Sequence, residues 1–393
     1  MKDIRGALIH YYRDQKQYSQ EGLCKGICAV SYLSKIEQGK VVATQEVYDA
    51  LFKALSVSFY QEEMYIEKWK QKIINAFEAY YYEEECELDL IKKEADKLLH
   101  SPLCIDYVLL VVLYEKSSDY LTYAKYFKDY MNDMQYAFYL YLQTERVDDQ
   151  QANNAINILK NAQKYYDWSI LELRYGEILE FNLGDYSQAI DHFMRSYHLA
   201  SEEGYLSGMI YASLQIGNCY ACVNAEKTML KYYTRCEHLI RSSKYKKLQG
   251  TIWYNIGSVY QEWNQYDKAE IYLLKAYNSN LPNDFLCYHK LILLYDKIDQ
   301  EKALHYLNEA KQKYQEIRTN DSDEILHFLE LHMHKEGQNS EEYVECLKNI
   351  CEGDLYYYGV RYFHLPYYIE ALKKKRRYKE ALQIVEKYHF HRI

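Results

Sequence analysis

The sequence predicts an all-α chain in two parts, a small N-terminal helical bundle followed by a long array of repeated helix pairs. Three observations carry that prediction. Only three prolines and 14 glycines punctuate 393 residues, too few turn-formers for a many-stranded β protein. Apolar residues recur at helical rather than alternating spacing along the chain. A pattern of glycine, alanine and large apolar residues also returns at intervals of 34 to 41 residues, the spacing of stacked helical hairpins. The 48 tyrosines suit such a chain, giving helices apolar bodies with hydroxyl tips.

The first element is a helix in which Ile4, Leu8, Ile9 and Tyr12 share one face. Tyr18 to Lys40 follows, reading as a short helix, a tight turn, a second helix and a glycine stop. Ser19 caps the first of these, because its hydroxyl oxygen accepts from the free N–H groups of the opening turn. Leu23 and Ile27 face Leu33 and Ile36, and Gly39 sits where a left-handed residue ends a helix at low cost. Gly22 weakens the first helix by about 0.5–1 kcal/mol relative to alanine, and Ala29 gives the second no strong cap. Val47, Leu51, Phe52 and Leu55 supply a closing helix. These residues form a compact bundle that presents the helix from Ala29 to Gln38 outwards, a helix-turn-helix.

Ser19, Gln20 and Leu23, then Leu33, Ser34, Ile36, Glu37 and Gly39 resemble the Cro/repressor-type helix-turn-helix of bacterial regulators, S-Q-x-x-L, a turn, then L-S-x-I-E-x-G. The link is one residue shorter than in the commonest version, and its turn, Gly26-Ile27-Cys28, is similar to that of the peptide-pheromone regulators of the Rap, Rgg, NprR, PlcR and PrgX group. The resemblance implies that Gln20 donates to a DNA phosphate and that Arg13 and Glu37 form a buried ion pair. On the outward helix, Ala29 and Val30 suit thymine methyls, Ser31 and Tyr32 suit base edges, and Lys35 suits a guanine or a phosphate. Tyr32 also suits packing beneath the helix.

Phe59 to Tyr82 reads as a connector helix plus the first packed helix, and Pro102 breaks the chain after it. The domain boundary falls near 58–68, giving a helix-turn-helix domain at 1–66 and a repeat domain at 67–393. The best repeat is residues 251–277, with Trp253, Ile256, Gly257, Tyr260, Tyr266, Ala269, Leu273 and Ala276 in the tetratricopeptide pattern of two antiparallel helices. Ala269, Leu273 and Ala276 return 34 residues on as Ala303, Leu307 and Ala310. Further copies centre on Gly176, Gly217 and Tyr378, with weaker ones across 107–165 and 324–352. The predicted fold is therefore a Cro/repressor-type bundle followed by a tetratricopeptide-repeat superhelix, whose first helices line a groove.

Polar residues on those first helices are the binding candidates: Arg174 and Glu177; Tyr211, Gln215 and Asn218; Tyr254 and Asn255; Tyr288 and His289. An asparagine amide offers a donor and an acceptor, so Asn218 and Asn255 can hold an extended peptide whatever its side chains. The resemblance implies the same role. These residues serve equally well to solvate the groove or to link neighbouring repeats. Cys219-x-x-Cys222, Cys24-x-x-x-Cys28, His332-x-His334 and His389-x-His391 are isolated pairs, short of the four ligands zinc needs. The run Lys373 to Arg377 reads as a solvated helix end. No phosphate loop, H-E-x-x-H or G-x-S-x-G occurs, so neither enzyme nor cofactor is expected.

Charge divides unevenly. Residues 1–58 carry eight Lys/Arg against six Asp/Glu, a net of +2, so the total of −9 leaves −11 for the rest. Only the N-terminal part suits a polyanion. No apolar run approaches 18 residues and no leader is evident, so a cytoplasmic protein without a membrane span is expected. The reading is a homodimeric transcription regulator that binds double-stranded operator DNA and is switched by a short signalling peptide. Its alternative is a repeat scaffold or inhibitor acting on a partner protein such as a response regulator.

Overall fold

In a computed structural model, residues 3–81, 84–145, 147–241, 244–279, 285–314, 320–353 and 358–388 are described. His389 and His391 lie outside them. Among the described residues the fold is all-α, without strands. The N-terminal bundle holds α1 (Arg5–Gln15), α2 (Gln20–Cys24), α3 (Val30–Glu37) and α4 (Gln45–Ala54). Then come α5 (Glu63–Tyr81), α6 (Leu88–Lys92), α7 (Ala95–Leu99), α8 (Cys104–Glu115), α9 (Ser118–Ala124), a 3-10 turn at Lys125–Tyr130, α10 (Asp133–Leu142), α11 (Ala152–Ala162), α12 (Ser169–Phe181) and α13 (Tyr186–Glu202). The remainder comprises α14 (Leu206–Cys222), α15 (Glu226–Ile240), α16 (Gln249–Glu262), α17 (Tyr266–Tyr277), α18 (Phe285–Ile298), α19 (Gln300–Tyr314), α20 (Asn320–His332), α21 (Lys335–Gln338), α22 (Glu341–Glu352), α23 (Tyr358–Lys374) and α24 (Tyr378–Lys387). The chain divides into two compact units, Met1–Leu183 with Asp191–Ala212 and Gly184–Ile190 with Ser213–Ile393.

In the first unit, Leu8, Ile9, Leu33, Leu51 and Leu55 are wholly buried, and Ile36 nearly so. These are the apolar positions that a small bundle needs to close. Phe59 and Tyr60 precede α5 rather than starting a connector helix, so one helix stands where two were expected. Trp69, Ile73 and Ala76 of α5 pack on Ile91, Leu98, Leu103, Tyr107 and Leu110. Pro102 lies in the turn between α7 and α8. The bundle also packs on later helices. Tyr11 meets the edges of Tyr123 and Tyr126 at 4.6 and 5.0 Å, and Tyr12 stacks on His100 at 5.1 Å. Such aromatic pairs each contribute about 0.5–1.5 kcal/mol beyond their burial.

Helical hairpins follow. Gly176 of α12 lies so close to Phe193 that a Cβ there would meet the ring at 2.5 Å. In the second unit, Gly217 meets Tyr233 at 2.8 Å and Gly257 meets Leu273 at 2.8 Å in the same sense. The repeat glycine is thus the notch into which a large residue of the following helix fits. Ala269, Leu273, Ala276, Ala303 and Ala310 are wholly buried, and Leu307 is 5 % exposed.

Candidate functional site

The outward helix is held from both ends. Ser19 Oγ accepts from Gly22 N at 2.9 Å, capping α2. Gly26 turns the chain at φ +77°. At the far end of α3, Gly39 N donates to Ile36 O and Lys40 N to Lys35 O, both 2.9 Å, with Gly39 at φ +64°. That pair of bonds is a Schellman stop, which satisfies carbonyls a helix would leave bare. Ala29 caps the start without a side-chain bond.

Beneath α3 lies a charged knot. Arg13 Nε donates to Glu37 Oε1 at 2.6 Å, and Arg13 Nη2 to Glu37 Oε2 at 3.2 Å. Arg13 Nη1 donates to Tyr18 O at 2.9 Å. The Glu37 side chain is 3 % exposed and that of Arg13 12 %, so the pair stands largely out of water. The carboxylate holds the Arg13 guanidinium above its usual range. Gln20 Nε2 donates to Glu37 Oε2 at 2.7 Å. That bond uses one of the two N–H groups of the amide. The backbone of Glu37 has its own partner: Tyr130 Oη, from the 3-10 turn, donates to Glu37 O at 2.7 Å.

What remains uncovered is Ala29, Val30 at 42 %, Ser31 and Lys35, with Tyr32 half-buried. The five share α3 and its cap. Sequence reasoning missed Tyr130, because nothing marks one tyrosine among 48. Gly6 was the available signal. A Cβ on it would lie 2.1 Å from Ile36 O and 3.1 Å from Tyr130 Oη, so a glycine inside α1 marks where α3 and the 3-10 turn converge.

The repeat candidates fall into separate groups. Arg174 donates through Nε to Thr144 O at 3.0 Å and through Nη1 to Glu177 Oε2 at 3.0 Å, tying α12 to the end of α10. Burial pushes the Glu177 carboxyl up, against the pull of Arg174. In the second unit, Asn218 Nδ2 donates to Gln215 Oε1 at 2.6 Å, and Tyr233 Oη donates to Asn218 Oδ1 at 2.7 Å. Asn255 Nδ2 reaches the same oxygen at 3.3 Å. The two asparagines therefore lie together across neighbouring first helices, half-buried and already bonded to each other. Tyr211 and Tyr254 are half-buried as well.

Tyr288 and His289 require correction. They are 2 % and 1 % exposed, and they belong to the core rather than to a groove. Tyr288 Oη donates to Glu309 Oε1 at 2.7 Å, and the His289 ring stacks on His364 at 4.8 Å. A helix packed on both faces buries residues that a one-sided helix would expose, which periodicity alone does not reveal. Cys219 is a buried thiol, and Lys375 and Arg377 of the basic run pair with Glu341 at 3.0 and 3.6 Å.

The structure thus joins a helix-turn-helix domain to a helical-repeat fold. The Helix-turn-helix family profile matches residues 9–61. No curated protein sequence matches the chain significantly. Among solved structures, a Rap protein complexed with competence and sporulation factor is similar at 13 % identity and TM-score 0.61, over 82 % of this chain and 97 % of the other. The apo form of the quorum sensor NprR from B. thuringiensis is similar at 15 % identity and TM-score 0.58, over 82 % and 97 %. NprR in complex with its cognate peptide NprX matches at 15 % identity and TM-score 0.57, over 81 % and 99 %. The chain shares the fold of these proteins. Among the described residues no helix is long and apolar enough to cross a membrane.

Proposed function

We propose that this chain is a transcription regulator, with residues 1–66 reading double-stranded operator DNA and residues 67–393 forming a receptor for a short signalling peptide that switches DNA binding or the geometry of a homodimer. One observation carries the reading. Lys35, Ser31 and Val30 stand exposed on a helix braced by a buried ion pair, in an N-terminal block whose net charge is +2 against −11 for the rest of the chain. A braced helix with a bare polar face is what major-groove reading requires. The fold supports the receptor half, since the Rap and NprR structures it resembles hold, respectively, competence and sporulation factor and the cognate peptide NprX. Asn255 and Asn218 are the amides nearest to this role. A peptide using them replaces bonds already made, so it gains only the difference. Two-fold pairing suits a half-site reader, because one such helix covers about half of a palindromic operator.

The test measures binding of the full chain to DNA from the flanks of its own gene, across a salt series. Lys35→Ala is expected to weaken binding by about five- to 150-fold, or 1–3 kcal/mol, if Lys35 reads a base, and to lower the salt slope by about one if it meets a phosphate. Binding unchanged by the combined loss of Ser31, Tyr32 and Lys35 sinks the DNA half. Mass spectrometry of protein purified from its host tests the receptor half, which a bound oligopeptide supports. Co-purification of a response regulator without peptide would instead favour the scaffold.

A further inference from the structure

A cavity of about 520 Å³ opens in the first unit between α5, α8, α10 and the starts of α12 and α14. It belongs neither to the α3 face nor to the asparagine cluster. Its walls are aromatic: Phe77, Phe138, Trp168 and Tyr205. Phe77 meets the edge of Phe138 at 5.7 Å, and Phe138 lies 5.7 Å from Trp168, so the walls are braced by one another. Volume and lining fall within the range of small-molecule sites, which are mostly apolar with a few convergent polar groups.

The charged groups in this cavity are mostly acidic. Asp106, Glu78 and Glu203 line it against a single cation, Lys70. Glu203 is held by Ser169, whose N donates to Oε1 at 2.9 Å. Asp106 Oδ1 accepts from Gln135 Nε2 at 2.6 Å, leaving Oδ2 without a protein donor among the described residues. Burial raises the Asp106 carboxyl, against the Gln135 hydrogen bond and the pull of Lys70. The Tyr81 ring adds to these walls, wedged against Trp168 and Tyr205 at 5.5 and 5.4 Å.

We propose that this cavity binds an aromatic cation, with its ring seated among Phe77, Phe138 and Trp168 and a protonated amine paired with Asp106. The chemistry has two sources, a free arylalkylamine or the aromatic first residue of a peptide with an unblocked amino terminus. The proposal does not rest on the DNA or peptide reading of the chain.

The experiment uses the full chain and isothermal titration calorimetry. The probes are tryptamine and its N-acetyl analogue, which keeps the ring and removes the charge, and phenylalanyl-leucinamide with and without an N-acetyl group. At least one free amine should bind tenfold or more tightly than its acetylated partner. The arm that shows this names the source. Asp106→Asn keeps an acceptor for Gln135 and should reduce the preference below threefold. Ile74→Trp, at a cavity-lining position that is 39 % exposed, fills the space without disturbing the core and should abolish binding. Acetylated probes that bind as well as amines, an amine preference that survives Asp106→Asn, binding that survives Ile74→Trp, or no binding of any probe at millimolar concentration would each overturn the proposal.

Discussion

Glu37 is the residue on which the helix-turn-helix bundle depends. Its carboxylate accepts from Arg13 and Gln20, and its backbone oxygen accepts from Tyr130. Each partner comes from a different element. Removing one member of a buried ion pair leaves the other charge without compensation, which costs about 3–5 kcal/mol. Arg13→Met is expected to destabilise the first unit by that amount in urea denaturation, and Arg13→Met with Glu37→Met together should recover most of it. A single change costing under about 1 kcal/mol would mean the pair is screened as a surface pair is. The sequence showed Arg13 and Glu37 through a family pattern, because ion-pair geometry at that spacing is fixed by the bundle. It did not show that Gln20 would join them, since an amide at a helix start suits a phosphate as readily as a carboxylate.

At the scale of elements, the boundaries of α3 followed from local chemistry. Gly39 and the apolar pair Leu33 and Ile36 left little freedom about where that helix lies or which face it buries. The repeats were legible for a similar reason: Gly217 and Gly257 mark close approaches to Tyr233 and Leu273. Where helices pack on two sides, legibility failed, as Tyr288 and His289 show. Gly6 is the case in which a glycine reports a contact between elements distant in sequence. Gly6→Ala would press a methyl group into Ile36 O, forcing α1 and α3 apart at an expected cost of about 1–3 kcal/mol. Thermal unfolding of the full chain reads the loss. Wild-type stability for this variant would mean that α1 and α3 have room to separate.

At the scale of the whole chain, the second unit carries a pH dependence of its own. Lys290 is 4 % exposed, with its ammonium 3.0 Å from the Phe363 ring centre and 3.9 Å from Glu262. Burial pushes its pKa down to about 7. Burial also lowers His289 well below its usual range and takes His364 to about 3. Asp296 and His332 stand nearby as a pair at 3.5 Å. The unfolded chain holds the lysine proton up to about pH 10.4, and the folded chain releases it near 7. Between those values the unfolded state binds more protons, so stability rises with pH across that window. For the two histidines the unfolded state takes up protons below about 6.5 and the folded state does not, so their contribution is lost as pH falls from there toward 3. Lys290→Met is expected to flatten the dependence between pH 7 and 10 and to raise stability at pH 7 by about 1–4 kcal/mol. Urea midpoints measured from pH 5 to 10 on both proteins check the sign, and a slope unchanged by Lys290→Met would show that other groups set it. None of this was legible in the sequence, where Lys290 is one of 48 cations.

The bond from Tyr130 to Glu37 spans 93 positions of sequence, and it has a consequence for the order of synthesis. Translation at about 5–20 residues per second puts roughly 5–20 s between the emergence of the two partners. During that interval the head has left the ribosome with Gly6 and Gly39 facing an empty seat. A nascent or truncated N-terminal fragment is therefore a looser object than the same residues in the finished chain. Protease sensitivity near Ile36 should fall at the chain length that first releases Tyr130, a step that ribosome-stalled fragments of increasing length would time.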